Sequence, residues 1–309
     1  MKTGNHATGE RGAAVVLAMG VVALASVAAS TIIVSQSVWS RQNQLRNEYT
    51  QAKVMLDAGV DWIRAVLNDD RLMSNVDHLA EPWAVKMPTI PVEKGGLAGS
   101  MEDQQGLFNL NNLVQDGKVV AQQLIYFKRL LAVLSLPDTL ADALMDWLDS
   151  DSVTQSQEGA EDEYYLGLRQ PYLAANRPLG DVAEIVRIRG FDSALFARLR
   201  PFVTALPGLT TVNVNTARAE VLAAMIDGLD IRDARLLVAE RERSYFRDQA
   251  DFQSRLPQGT VVELSDISVN SDYFIASLQV VIGDTEAQGG FLLDRGGTGW
   301  PAIVWRRYR

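Results

Sequence analysis

Seven carboxylates stand within eighteen residues: Asp146, Asp149, Asp151, Glu158, Glu161, Asp162 and Glu163. Gly159 and several Ser, Thr and Gln residues lie between them. Such density reads either as a solvated loop or as a cation site. Like charges repel, so an ordered loop of this composition folds at lower cost around a divalent cation. Ca2+ accepts about six to eight oxygens and tolerates irregular geometry, which suits carboxylates delivered by a loop. The pattern is no EF-hand. Counted from Asp149, the sixth position is Thr154 rather than Gly and the twelfth is Ala160. The candidate ligands are Asp149, Asp151, Glu161 and Asp162.

Two further stretches could hold a phosphate. Leu179-Gly180-Asp181-Val182 leads through a short helix to Ile188-Arg189-Gly190-Phe191. Val212-Asn213-Val214-Asn215-Thr216-Ala217 leads through another to Gly228-Leu229. Both have the look of helix-hairpin-helix units, whose amides can bind nucleic-acid backbone. They read equally as packing modules. Between residues 120 and 260 there are 15 Lys and Arg against 20 Asp and Glu, a net of -5. Phosphate contacts supply most non-specific affinity, and that net opposes them. No nucleic-acid partner is expected.

Catalysis has no obvious residues. There is no G-x-S-x-G, no P-loop and no G-x-G-x-x-G. With no cysteine, disulfides, thiolate metal sites and Cys nucleophiles are excluded. The two histidines, His6 and His78, are too few and too far apart for a His-based centre. His78, in a Pro-broken stretch, reads as a surface or packing residue. The terminal Arg306, Arg307 and Arg309 read as edge charges that discourage strand-to-strand association. The expectation is a protein that is not an enzyme, with no catalytic residue to name.

The elements that carry these residues begin with an apolar rod. From Ala13 to Val34 run twenty-two residues with no charge and no proline. As a helix this is about 33 Å, enough for a hydrocarbon core of about 30 Å. A secretory signal has a shorter apolar core, and its pattern stops there. Here the pattern continues through Leu45, Tyr49, Ala52, Leu56, Val60, Ile63 and Leu67. That spacing is one face of an amphipathic helix. One helix over 13–67 is expected, transmembrane over 13–34.

Beyond it, 68–91 is broken by Pro82, Pro88 and Pro91 and reads as loop. Leu97-Gly99-Met101 and Phe108-Leu110 alternate and read as a strand pair. From about Val119 to Leu256 the text is helical: 122–136, 139–148, 182–188, 193–199, 217–226 and 231–243, with Asn215-Thr216 as a cap. Strands return at 261–264, 273–282, 291–295 and 301–308. The simplest account is an α+β protein in which an antiparallel sheet is interrupted by a large α-helical insertion. The boundaries are 1–12 leader, 13–67 helix, 68–118 first part of the sheet domain, 119–256 insertion and 257–309 closing strands. The net charge of -9 and the balanced flanks of the apolar span leave its orientation open.

The N-terminus resembles the class III signal of type IV pilins and type II secretion pseudopilins: a short polar leader ending in Gly12, an apolar helix, and an amphipathic continuation. Phe108-Asn109-Leu110-Asn111-Asn112-Leu113, Ala160-Glu161-Asp162-Glu163-Tyr164-Tyr165, Ala174-Ala175-Asn176-Arg177-Pro178-Leu179 and Val212-Asn213-Val214-Asn215-Thr216-Ala217 extend it. In their order they are similar to the large minor pseudopilin class, K. The resemblance implies cleavage by a prepilin peptidase between Gly12 and Ala13, bound calcium, and a single-pass inner-membrane anchor with the bulk in the periplasm. It also implies assembly with minor pseudopilins I, J and H, and a place capping the tip of the pseudopilus, where the protein helps to initiate assembly and export. Two departures stand out: Ala13 replaces Phe or Met, and Leu17 replaces the usual Glu. A carboxylate inside the bilayer is costly without a partner. A subunit with nothing above it has no partner to offer, and Leu17 fits that position. Small residues along the same helix, among them Gly20 and Ala28 beside Leu24, allow close approach of neighbouring helices. A membrane-anchored helix-hairpin-helix binder of DNA is the competing reading.

Overall fold

The computed structural model describes residues 7–309. Residues 1–6, half of the expected leader and including His6, lie outside the described residues. One helix, α1, runs Ala7–Met73. It starts before Ala13 and ends six residues past Leu67, so Asn68-Asp69-Asp70, expected to open the loop, forms its last turns; no Pro intervenes. At about 1.5 Å per residue it is roughly 100 Å long.

α1 lies on a five-stranded antiparallel sheet: β1 Met87–Val92, β2 Gly95–Asp103, β3 Tyr273–Ile282, β4 Thr285–Asp294 and β5 Ala302–Tyr308. The strand order is the order just given. Ala52, Leu56, Val60, Ile63 and Leu67 are buried against Phe274, Ala276, Leu278, Val280, Phe291 and Leu293. Leu45 and Tyr49 share their helical face but remain exposed. The sheet ends there, at the β3–β4 turn: Arg41 pairs with Asp284, and Thr285 Oγ1 donates to Glu48 Oε2 at 3.0 Å. At the sheet's other end Arg71 donates to the carbonyls of Arg295, Gly297 and Gly299. α1 is thus pinned at both ends of the sheet.

Four expectations for the strands are corrected. Part of the stretch read as loop, 87–92, is a strand. Pro88 and Pro91 disguise it, and as an edge strand β1 needs no donor on its outer side. Its partner is β2, so β2 does not pair with 108–110. Phe108–Asn109 pairs instead, in parallel, with Val203–Thr204. Gly289 and Gly290 do not precede their strand but lie inside β4. A Cβ on Gly289 would come within 2.7 Å of the Phe291 ring, so glycine leaves that ring its place in the core. The expected strand at 261–264 reduces to one bridge, Asp227 to Val261.

Between β2 and β3 the chain builds a second core, all-helical in the main: α2 Ala121–Val133, α3 Leu140–Leu148, α4 Asp162–Leu166, α5 Ser193–Leu199, α6 Ala219–Met225, α7 Ile231–Arg241 and α8 Gln249–Ser254. The segment 182–187 is 3-10 helix. The buried set includes Phe108, Leu110, Leu113 and Ile267, beyond both ends of the expected 119–256. The insertion leaves the sheet at Asp103 and returns at Tyr273. These ends adjoin in the β2–β3 register, where Asp103 pairs with Phe274. They lie at the Arg71 end of α1, away from the apolar rod.

Candidate metal centre

The acidic loop hangs from the end of α3. Asp149 is the C-cap, its N–H donating to Met145 O at 2.9 Å. One turn earlier Asp146 is fully buried. Its Oδ1 accepts from Gln155 N at 3.0 Å and its Oδ2 from Ala160 N at 2.7 Å. The carboxylate therefore acts as a staple that folds 150–160 back onto α3. A Cβ on Gly159 would stand 2.1 Å from Asp146 Oδ2, so only glycine closes that turn. Ser156 Oγ donates to Asp142 Oδ2 at 2.9 Å and fixes the middle of the loop.

The folded loop brings Asp149, Asp151 and Glu161 together, with one oxygen from each within 4.8 Å of the others. Asp149 is 1% and Glu161 5% exposed. Asp149 Oδ1 and both carboxylate oxygens of Glu161 have no hydrogen-bond donor. Burial, then the charges of Asp146, Asp149, Asp151 and Asp162, push the Glu161 carboxyl up to about 7. Burial and Asp151 push Asp149 the same way. Buried anionic oxygens without donors are costly. A divalent cation answers all three at once, and the donors are hard oxygens of the type calcium takes. The residues fit the ion that the sequence resemblance implies.

The fourth expected ligand, Asp162, is outside this group of three. It opens α4, and its Oδ1 accepts from Ala174 N at 2.9 Å. Arg189 closes the loop from the other side. Its Nη1 donates to Gly159 O at 2.8 Å and Gln157 O at 3.2 Å, and its guanidinium lies over the Tyr164 ring at 5.1 Å. Glu161, Asp162, Glu163 and Arg189 line an open cavity of about 660 Å³ above the loop.

The two hairpins pack into the helical core, through Ile185, Val214 and Leu222 among others. Asp181 accepts from Ala183 N at 2.7 Å, and Asp230 accepts from Arg232 N and Asp233 N at 2.8 and 2.9 Å. Both carboxylates are N-caps that occupy the first amides of the segments they open. Asn215 is not a cap, for α6 starts after Arg218. Asn215 instead exchanges hydrogen bonds with the Phe246 backbone, at 2.8 and 2.9 Å.

Sequence reasoning missed a second acidic group, Asp70, Asp77 and Glu81. Its cation is built in: Arg295 pairs with Asp70 at 2.8 Å and with Asp77. Glu81 Oε2 accepts from His78 N and Trp83 Nε1, each at 2.8 Å. No single stretch signals this pairing, because Arg295 stands more than 200 residues from the carboxylates it neutralises.

At the other end of the molecule, Gly12 and Ala13 lie within α1. Leu17 and Leu24 are 70% and 73% exposed, and Gly20 and Ala28 are exposed beside them. The part of α1 from Gly12 to Met73 contains an 18-residue window apolar enough to cross a membrane, none of it buried.

An apolar helix that continues onto an antiparallel sheet, with a helical body and an acidic loop inserted between two strands, defines a membrane-anchored pseudopilin-type subunit. Comparison with known proteins makes this specific. The family described as Type II secretion system (T2SS), protein K matches residues 106–208 and again 212–270, more than half of the chain. Type II secretion system protein K of Pseudomonas aeruginosa is 36% identical, over 94% of this chain and 90% of that one. Its counterpart in Klebsiella pneumoniae is 34% identical, over 97% and 96%. A chain in the crystal structure of the GspK-GspI-GspJ complex from enterotoxigenic Escherichia coli superposes with a TM-score of 0.77 at 26% identity, covering 87% of this chain and 99% of that one. The chain belongs to the type II secretion system protein K family.

Proposed function

We propose that this protein caps the tip of the type II secretion pseudopilus and helps to start its assembly, without catalysing a reaction. The observation that carries this is where the insertion sits. The apolar rod ends near Val34, and Arg71, beside the sheet end from which residues 104–272 emerge, is about 55 Å further along α1. A second domain at the membrane-distal end is accommodated on top of a helical stack and obstructs any subunit placed above it. Leu17 supports the same position, since a top subunit has no neighbour whose amine would pair with a carboxylate there.

In this reading a prepilin peptidase cuts between Gly12 and Ala13, the rod is held in the inner membrane, and the bulk lies in the periplasm. Minor pseudopilins I and J, then H, pack along α1, where small residues such as Gly20 and Ala28 let helices approach. Calcium is held by Asp149, Asp151 and Glu161. When bound, it neutralises the loop and ties the end of α3 to the start of α4. Asp162 supports that loop by anchoring Ala174.

Localisation on assembled pseudopili tests the placement. Gold label against this protein is expected at filament ends only; label along the shaft would sink the tip reading. Gly12→Val is expected to leave a longer, membrane-held precursor, seen as slower migration beside wild type. Equal mobility would refute processing at that bond.

A further inference from the structure

We infer that the seam between the insertion and the sheet domain is a proton-operated latch, with Asp77 as the group that takes up and releases the proton. Three carboxylates meet there. Asp70 comes from the last turn of α1, Asp77 from the loop after it and Asp103 from the end of β2. Asp77 and Asp103 are buried, and the Asp70 side chain is 10% exposed. Among the described ion pairs only Arg295 meets them, pairing with Asp70 at 2.8 Å and with Asp77. Three negative charges thus face one guanidinium.

Buried carboxylate charge in excess is relieved in one of two ways. A carboxylate takes up a proton and the seam stays closed, or water returns and the seam opens. The donors decide where the proton goes. Asp103 Oδ1 accepts from Gln105 N at 2.7 Å. Its Oδ2 accepts from Ser271 Oγ at 2.7 Å, from Asn213 Nδ2 at 3.3 Å and from Thr216 Oγ1. Burial raises the Asp103 carboxyl, and these donors oppose it. Asp77 has fewer donors: Ser271 N, at 2.7 Å from Oδ2, and Arg295, which it shares with Asp70. Burial outweighs them and pushes the Asp77 carboxyl up to about 7. Asp77 is also where the two parts touch. Its carbonyl accepts from Asn213 Nδ2 of the insertion at 3.2 Å, and its N–H donates to Val269 O at 2.8 Å. The other ionisable groups around the seam are Glu81 and His78 in the same loop, with Tyr245 of the insertion stacked on His78 at 4.0 Å, and Asp272, Asp294 and Arg71 beside Arg295. In an opened, hydrated seam Asp77 returns toward its ordinary 3.8. Closing therefore binds a proton. The closed state is favoured at low pH, weakens as pH rises between those two values and levels off above them. This holds whether or not the acidic loop takes a cation.

The test is amide hydrogen exchange of the full chain in detergent micelles from pH 5 to 8, each rate corrected for the intrinsic rate at that pH. The amides read are those of Gln105 and Ser271, which local opening of the seam exposes. Their protection is expected to fall at least about tenfold from pH 5 to 7 and then to level off. Asp77→Asn is neutral at every pH and still accepts from Ser271 N. Its protection is expected to stay within about twofold across the range. Histidine also changes charge near neutral pH, so His78→Gln is measured alongside and is expected to keep the wild-type slope. Wild-type protection that does not vary with pH, a slope that survives Asp77→Asn, or a slope lost with His78→Gln overturns the inference. So does exchange at Gln105 and Ser271 that matches Leu278 and Phe291 in the sheet at every pH, since the seam would then open only as the whole protein unfolds.

Discussion

Asp146 and Asp149 stand three residues apart at the end of α3 and do opposite work. Asp146 has both oxygens occupied by backbone N–H groups, while Asp149 keeps Oδ1 free. Asp146→Ala strands two amides in a buried place, at about 1–3 kcal/mol each, and calcium cannot replace those acceptors. Denaturant unfolding in chelator and in excess calcium is expected to show a loss of at least about 2 kcal/mol in both. Asp149→Asn is expected to change the chelated protein little and to abolish the gain from calcium. Glu161 supplies the part of the pH dependence that calcium would answer; burial holds the Asp77 carboxyl at about 7 as well, away from the acidic loop. The folded pKa of Glu161, about 7, is above the ordinary value of 4.5. The metal-free native state therefore holds a proton that the unfolded chain releases between those values, so its stability falls as pH rises through that window and levels off above it. Melting in chelator is expected to show that decline from pH 5 to 7, and saturating calcium to make it shallower by the Glu161 share, the Asp77 share remaining. The acids themselves were visible in the sequence because charge density is a local property. Their division into staples and free oxygens was not, because it depends on which backbone N–H groups the folded loop turns inward.

At the scale of elements, α1 was legible from its period and its sheet was only partly so. The spacing from Leu45 to Leu67 marked one face, yet burial begins at Ala52. Where it begins is decided by the length of β3 and β4, which meet α1 at Glu48 and Arg41. Leu56, fully buried against the sheet beside Gly289, is expected to lose about 2–5 kcal/mol on change to Ala. Leu45, on the same helical face and 38% exposed, lies before that burial begins, and Leu45→Ala is expected to stay within about 0.5 kcal/mol. Equal losses at the two positions in thermal or denaturant unfolding would mean that the helix face, not the sheet, sets burial. β1 escaped reading because Pro88 and Pro91 are turn signals in a sequence and are tolerated on an edge strand. The pairing of β2 with β3 spans the whole insertion, and no local pattern reports a partner that distant.

The whole molecule is two apolar cores joined through a buried polar seam. One core is α1 on the sheet, around Trp83; the other is the insertion, around Trp147. Where the chain passes between them, Asp103 Oδ2 accepts from Ser271 Oγ at 2.7 Å and from Thr216 Oγ1, and Asn213 Nδ2 donates to Ser271 Oγ at 2.9 Å and to Asp77 O at 3.2 Å. Arg295 is the only guanidinium that pairs with Asp70 and Asp77 among the described ion pairs, and its Nε donates to Ser271 O at 2.9 Å. Arg295→Ala leaves two largely buried carboxylates without their cation, a loss of about 3–5 kcal/mol. Because the seam is polar and each core is apolar and self-contained, the loss falls on their coupling first. Wild type is expected to unfold in one transition. Arg295→Ala is expected to show an earlier one, in which the surroundings of Trp83 and Trp147 melt apart. Fluorescence of Trp83→Phe and Trp147→Phe in each background assigns the two. A single transition at the wild-type midpoint would mean that the insertion is held to the pilin body by something other than this seam. The proposed place at the filament tip requires that rigidity, since a head that swings on its helix cannot present one fixed surface to whatever it meets.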